Sequence, residues 1–263
     1  MAITCAELFE CIPHTLIGNP DESISGLTCN SNEVSSGDIF FCIVGTKIDG
    51  HTFAQDAIDR GAKVLVCERK IYLADSTDIT LVVVPDSRRA MAEVASVFYG
   101  HPSQKLKVVG ITGTNGKTTT TYLVDHIARE AGYTTGLIGT VGNHIAGIEE
   151  KSSHTTPDSI ELQQLLSRMV DAGCDVVAME VSSHALDLDR VWATDFAVTG
   201  FTNLTQDHLD YHHTFEEYFD VKSRLFSKDY PSARVIGVNE KWGRLLLDKC
   251  EVQGDDVISF ASG

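Results

Sequence analysis

The segment Gly110-Ile-Thr-Gly113-Thr-Asn-Gly116-Lys117-Thr118 has the residue types needed to hold a phosphate. Glycines let successive backbone N–H groups turn toward one anion, and a helix that follows adds the partial positive charge of its N-terminus. A lysine at the end of such a loop reaches the β- and γ-phosphates of a nucleotide, and the hydroxyl after it sits on Mg²⁺. Gly113, Thr114, Asn115, Gly116, Lys117, Thr118 and Thr119 are therefore the candidate ATP-binding residues. A strict G-x-x-x-x-G-K-T pattern needs glycine at 111, where this chain has Ile111. A glycine-rich strand–helix turn with no ligand is the competing reading.

In open parallel sheets, ligands bind at the carboxyl ends of the strands. The apolar run at 176–181 delivers Glu180 there, followed by Ser182, Ser183 and His184. A carboxylate in that position, beside a phosphate loop, is the usual Mg²⁺ ligand. A second apolar run, 196–201, is followed by Asn203, Asp207, His208, Asp210, Tyr211, His212 and His213. His208 and His212 stand four apart, like half of a helical zinc site, but no H-E-x-x-H pattern and no nearby cysteine supports zinc. One of these histidines as a Mg²⁺ ligand and a bare surface histidine are both open readings.

The elements that must position these groups alternate between strand and helix. Residues 1–103 read as a small α/β unit. It contains strand-like runs at 38–44, 64–67 and 81–84, a helix over 53–60 ended by Gly61, and a helix to Tyr99 capped by Asp86 or Ser87. The polar, Gly- and Pro-bearing stretch 100–107 is the expected domain boundary. Residues 104–263 then run strand, glycine loop and helix over 119–131, with Tyr122, Leu123, Ile127 and Ala128 facing inward. A second helix starts with Thr156 as N-cap and Pro157 at its first position, burying Ile160, Leu165, Leu166 and Met169. Nearly all-apolar strands between helices imply a mostly parallel sheet with helices on both faces.

The bulk composition fits that scheme. Acidic residues outnumber basic ones 37 to 21, a net charge of −16, so nucleic-acid binding through a basic face is not expected. An anionic nucleotide must then be held by local positive charge and backbone N–H groups. The seven cysteines are scattered and never form a C-x-x-C pair, as expected for thiols in a reducing compartment. No signal-like or membrane-spanning run occurs, so a cytoplasmic location and no membrane partner are expected.

The chain also resembles the Mur ligases along essentially its whole length. The motifs are Gly-Asp-Ile-Phe at 37–40, Asp49-Gly50-His51, the loop 110–120, Thr155-Thr-Pro-Asp158 and Met179-Glu-Val-Ser-Ser-His184. They continue with Phe201-Thr-Asn-Leu204, Asp207-His-Leu-Asp-Tyr-His212, and Glu217-Tyr-Phe219 with Lys222. The likeness is greatest to members that add the third amino acid to UDP-MurNAc-L-Ala-D-Glu. It implies an N-terminal UDP-sugar-binding domain and an incomplete central ATPase domain, acting as a monomer through an acyl phosphate. It further implies that Lys117, Lys222 and His208 are catalytic, and that Thr118, Glu180, His208 and Lys222 hold Mg²⁺, Lys222 as a carbamate. For the UDP-sugar it implies Ser31, Thr46, Lys47, Ile48, Thr155, Thr156, Ser182 and Arg190. The family pattern is departed from at Asn30-Ser31-Asn32, Leu188-Asp189-Arg190 and Tyr211-His212-His213. Family members continue for roughly another domain and a half. An incomplete ligase with little activity alone is thus expected, the alternative being a non-catalytic protein that binds ATP or a UDP-sugar.

Overall fold

The computed structural model describes residues 3–45, 48–71, 78–152, 154–206, 209–254 and 256–261. The chain divides into two compact units, Met1–Gly100 and His101–Gly263.

The first unit is built on five strands: β1 (Thr15–Ile17), β2 (Gly26–Thr28), β3 (Asp38–Phe41), β4 (Val64–Cys67) and β5 (Thr80–Val83). Their order is β1-β5-β4-β3-β2, with only β1 antiparallel to its neighbour. Three helices accompany them: α1 (Cys5–Phe9), α2 (Ala54–Asp59) and α3 (Ser87–Phe98). Every residue of β3 and β4 is buried, which explains the apolar runs Ile39–Phe41 and Val64–Cys67. The run at 38–44 yields a strand only to Phe41. After one more bond, from Cys42 N–H to the Val66 carbonyl, the chain folds back and Gly50 N–H bonds the Ile43 carbonyl. Asp86 caps α3, its carboxylate accepting from the N–H groups of Arg88 and Arg89 at 3.0 and 3.1 Å.

The second unit contains an eight-stranded sheet. Its strands are β6 (Lys107–Thr112), β7 (Thr135–Ile138), β8 (Asn143–Ile145), β9 (Ile148–Glu150), β10 (Val176–Glu180), β11 (Val198–Phe201), β12 (Ala233–Gly237) and β13 (Val257–Phe260). The order is β13-β12-β11-β6-β10-β7-β8-β9. The six strands from β13 to β7 are mutually parallel, and β8 and β9 form an antiparallel edge. The helices are α4 (Lys117–Glu130), α5 (Ser159–Asp171), α6 (Ser183–Asp187), α7 (Leu209–His212), α8 (Phe215–Ser223) and α9 (Lys241–Gln253). β6 lies near the centre, with β10 on one side and β11 on the other. The chain leaves β6 toward β7 and later returns to add β11 on the opposite side, so the carboxyl end of β6 opens at a switch point of the sheet. No helix among the described residues is long and apolar enough to cross a membrane.

Two sequence expectations need correction. In α4 the buried side chains are Thr121 and Asp125, whereas Leu123 and Ile127 are exposed. The face turned to β10 and β7 is chosen by Asp125, which accepts a 2.6 Å hydrogen bond from the buried Thr135 hydroxyl. Helix α5 is capped by Asp158, not by Thr156: the Asp158 carboxylate accepts from the Glu161 N–H at 2.9 Å, while the Thr156 hydroxyl is engaged elsewhere. Removing an N-cap oxygen leaves a helix-end N–H without its partner. Asp158→Ala is therefore expected to lower the unfolding free energy by about 1 kcal/mol in a urea titration. A change of only a few tenths would assign the cap to another group.

Candidate functional site

The phosphate-loop candidate sits between β6 and α4. Gly113 and Gly116 have φ of 143° and 85°, which side-chain-bearing residues rarely adopt. A methyl group on Gly113 would also strike the Thr202 hydroxyl and press on the Asn203 backbone. That close approach lets the segment after β11 grip the loop. Thr114 N–H donates to the Asn203 carbonyl at 2.9 Å, and Asn115 N–H to Asn203 Oδ1 at 3.0 Å. The Thr202 hydroxyl donates to the Asn115 carbonyl at 2.7 Å, and Thr205 N–H to Thr114 Oγ1 at 3.0 Å. Helix α4 begins at Gly116 with no side-chain cap. A 14-residue helix thus opens on the loop with no side chain competing for its first N–H groups.

Two lysines close the loop from inside. Lys117 Nζ donates to the Gly113 and Thr114 carbonyls at 2.9 and 2.8 Å. Lys222, from α8 and only 1% exposed, donates to the same Gly113 carbonyl at 3.0 Å. Its ammonium lies 4.6 Å from the centre of the Tyr218 ring, a cation–π contact that helps to hold a charge away from water.

Glu180, the last residue of β10, is 1% exposed and points into the same cleft. Its carboxylate accepts from the Thr118 hydroxyl at 2.9 Å and from Thr140 N–H at 2.8 Å. The Thr140 hydroxyl lies 3.3 Å from the carboxylate and 3.0 Å from the Thr155 hydroxyl. Gly139 makes room for this arrangement, since a Cβ there would come within 2.5 Å of Glu180 Oε1. Behind the carboxylate, the buried Thr156 hydroxyl donates to the Glu180 carbonyl at 2.8 Å and accepts from Ser182 N–H at 3.1 Å. Arg190 Nη1 donates to the Thr156 carbonyl at 2.9 Å.

A cleft of about 150 Å³ is lined by Lys117, Thr118, Thr140, Thr155, Glu180, Ser182, Ser183, Tyr218 and Lys222. The buried Lys222 and half-buried Lys117 on one side and a carboxylate with hydroxyls on the other give it the chemistry to take a phosphate and a hard cation. Glu180, Thr118 and Thr140 offer oxygen donors only, which suits Mg²⁺ rather than a softer metal. Among the described residues no three His, Cys, Asp or Glu side chains gather as a metal cluster. The structure thus brings together Lys117, Thr118, Glu180, Lys222, Thr155 and Ser182. Thr156 and Arg190 stand behind them.

In the first unit, Ser31 is nearly buried at the start of a short helical turn capped by Asn30. Ile48 is exposed, and its carbonyl accepts from Gly45 N–H at 3.0 Å. The ends of this loop are fixed by Asp49, which accepts from His51 N–H at 3.0 Å, from His51 Nδ1 at 2.6 Å and from Arg69. Because His51 Nε2 accepts from Glu68 N–H, the ring proton is on Nδ1. The Arg69 guanidinium, with His51, holds the Asp49 carboxyl well below the usual carboxylate range. Thr46, Lys47 and His208, as well as Asp207, lie outside the described residues.

Sequence reasoning missed Thr140, Thr202, Thr205 and the ring role of Tyr218. A signal existed for Thr140, because the β-branched and apolar stretch after Gly132 ends in Gly139 and Thr140 as a strand end would. Nothing local marks Thr202 and Thr205 as loop anchors, since their partners lie about ninety residues away.

The elements and the cleft define a class, the phosphate-loop α/β proteins with their ligand site at a sheet switch point. Within that class the chain belongs to the Mur ligase family. The Mur ligase middle domain matches residues 111–263, more than half the chain, and the Mur ligase family catalytic domain matches residues 23–99. A UDP-N-acetylmuramoyl-L-alanyl-D-glutamate–2,6-diaminopimelate ligase of Clostridium botulinum is 45% identical over 243 residues, covering 92% of this chain and 50% of the relative. The ligase of that name from Geobacillus thermodenitrificans is 51% identical over 211 residues, covering 80% of this chain and 42% of its own. A solved structure of a ligase with that name superposes with a TM-score of 0.83 at 27% identity, covering 99% of this chain and 53% of the other. The chain spans about half the length of the relatives it matches.

Beside the cleft, His212 is buried and stacks on Tyr218 at 5.0 Å. Its pKa is lowered first by burial and then by His184 and Lys222, against the opposing pull of Asp187 and Glu217. Such a histidine binds its proton more weakly when folded than when unfolded. Its contribution is fully present above the unfolded pKa of ~6.5 and is lost as pH falls below it, through the folded pKa. Chemical denaturation between pH 8 and pH 5 should show stability falling more steeply below ~6.5 in the native chain than in His212→Phe. Equal slopes would assign the loss to carboxylates alone.

Proposed function

We propose that this chain is the nucleotide-binding and carboxylate-activating part of an amide-forming ligase of peptidoglycan precursor synthesis. Its carboxylate substrate is UDP-MurNAc-L-Ala-D-Glu, and the amine is 2,6-diaminopimelate, as the names of its relatives print. The observation that carries this reading is the single cleft in which Lys117, Thr118, Glu180 and Lys222 meet Thr155 and Ser182.

The reaction it supports transfers the γ-phosphoryl group of ATP to the substrate carboxylate, with ADP leaving. The amine nitrogen then attacks the acyl carbon, and the resulting tetrahedral intermediate expels phosphate. Both steps gather negative charge, so preorganised cations and N–H groups lower their barriers. The 113–119 loop and the α4 N-terminus bind the phosphates, and Lys117 offsets the charge that develops. Thr118, Glu180 and Thr140 would hold Mg²⁺, which supplies charge neutralisation at the phosphates when bound. The resemblance adds His208 as the ligand of a second Mg²⁺ and Lys222 as a metal-binding carbamate. Thr155 and Ser182 touch the substrate, with Thr156 and Arg190 fixing them from behind. Ser31, Thr46, Lys47 and Ile48 receive its UDP end.

ATP-dependent phosphate release that requires both UDP-MurNAc-L-Ala-D-Glu and diaminopimelate tests the reading. Saturable binding of the UDP-sugar and ATP without turnover would make this chain a binding half only, and binding of neither would overturn the site. By titration calorimetry, Lys117→Ala is expected to weaken ATP binding tenfold or more, with and without Mg²⁺, from the loss of a charge-assisted contact worth about 1.5–3 kcal/mol. Glu180→Gln should instead abolish the gain in affinity that Mg²⁺ brings.

A further inference from the structure

The polar side chains of the cleft are nearly all engaged with one another. Lys117 and Lys222 donate to loop carbonyls, and the Thr118 and Thr140 hydroxyls donate to Glu180. The Thr155 hydroxyl accepts from Thr140. Ser182 caps α6, its hydroxyl oxygen accepting from Ala185 N–H at 3.1 Å. Ser183 is the exception. It is the first residue of α6, lines the cleft and is 2% exposed, yet its hydroxyl has no hydrogen-bond partner among the described residues.

A buried hydroxyl in that condition calls for a reason, because folding ordinarily pairs such groups. A serine in or beside a helix usually caps its end, bonds a carbonyl one turn back, or turns to water. Ser183 does none of these. The cap is already supplied by Ser182, no helical turn precedes the first residue, and burial keeps water away. Alanine would fill the same space without the cost of stripping water from a donor that finds no acceptor. The fold therefore gains nothing from this hydroxyl. Its position suggests what does: α6 starts just beyond Glu180, at the carboxyl end of β10, and packs against α8, which carries Tyr218 and Lys222.

We propose that the Ser183 hydroxyl donates to an anionic oxygen of the reacting group, either the γ-phosphoryl of ATP or the carboxylate that receives it. This assignment rests on the reaction proposed above. Both groups offer charged oxygens, the strongest acceptors a hydroxyl can meet, and both must come together in this one cleft. A serine side chain turns about a single bond between staggered positions, so the hydroxyl can swing to a ligand at little cost. The partners of the other polar groups form without ligand; Ser183 keeps its donor in reserve.

The test compares the native 263-residue chain with Ser183→Ala by titration calorimetry and thermal unfolding. The ligands are Mg²⁺-ATP and UDP-MurNAc-L-Ala-D-Glu, with Mg²⁺-ADP and UDP as counterparts that lack the reacting group. Ser183→Ala is expected to weaken either Mg²⁺-ATP or UDP-MurNAc-L-Ala-D-Glu about tenfold, as loss of one charge-assisted hydrogen bond should. A loss confined to ATP assigns the hydroxyl to the phosphoryl group, and one confined to the UDP-sugar assigns it to the carboxylate. Mg²⁺-ADP and UDP should bind both proteins alike. The melting temperature of the free variant should hold or rise, since an unpaired buried donor has been removed. Unchanged affinity for both full ligands overturns the role of Ser183 alone, as does a fall of several degrees in melting temperature accompanied by equal losses for ADP and UDP. A native chain that binds none of the four overturns the reading of the cleft itself.

Discussion

Two ammonium groups, those of Lys117 and Lys222, converge on the carbonyl of Gly113, and the architecture of the second unit keeps them there. They lie within two hydrogen-bond lengths of each other, where like charges repel by about 3 kcal/mol at an effective dielectric constant of 20. The carbonyls of Gly113 and Thr114 and the face of Tyr218 offset part of that repulsion. An arriving anion would offset more, because it replaces partial charges by a full one. The strain of holding two cations together is thus a bias toward binding phosphate.

Each neighbouring element has a part in maintaining that geometry. β6 delivers the loop, and β11 clamps it through Thr202 and Asn203. β10 sets Glu180 opposite the cations, where Thr118 and Thr140 orient its oxygens. The acidity of the whole chain is no obstacle to this, because the potential at a partly enclosed site is dominated by its nearest charges. The net charge of −16 has no bearing on a cleft that contains two lysines.

How much of this was legible in the sequence depends on the range of each interaction. The loop, its flanking strand and helix, and the strand-end carboxylate are local patterns, and Gly113, Lys117, Thr118 and Glu180 emerge from them directly. Thr140 emerges only if the short stretch 135–138 is read as a strand, and its apolar run is too brief to demand that reading. The N-cap of α5 was displaced by two residues because threonine before proline and aspartate after it are both good caps. The tertiary role of Thr156, bonded to the Glu180 carbonyl, decides between them. Lys222 read alone is an ordinary helix lysine; its burial against Gly113 is a contact across 109 residues that no local pattern encodes.

The misjudged face of α4 is more informative than an error of phase. Periodicity correctly found an apolar stripe at Leu123, Val124 and Ile127, and it assumed that such a stripe meets a core. The helix instead gives its closest packing to Thr121 and Asp125, because a buried hydrogen bond to Thr135 fixes that side against β7 and β10. A helix with a polar buried face and an apolar exposed one contradicts the usual economy of folding only if the visible neighbours are all the neighbours. The same stripe borders the open side of β11, β12 and β13, whose outward residues are also aliphatic or aromatic. Two independent elements, a helix and a sheet, therefore present apolar surface to the same empty volume.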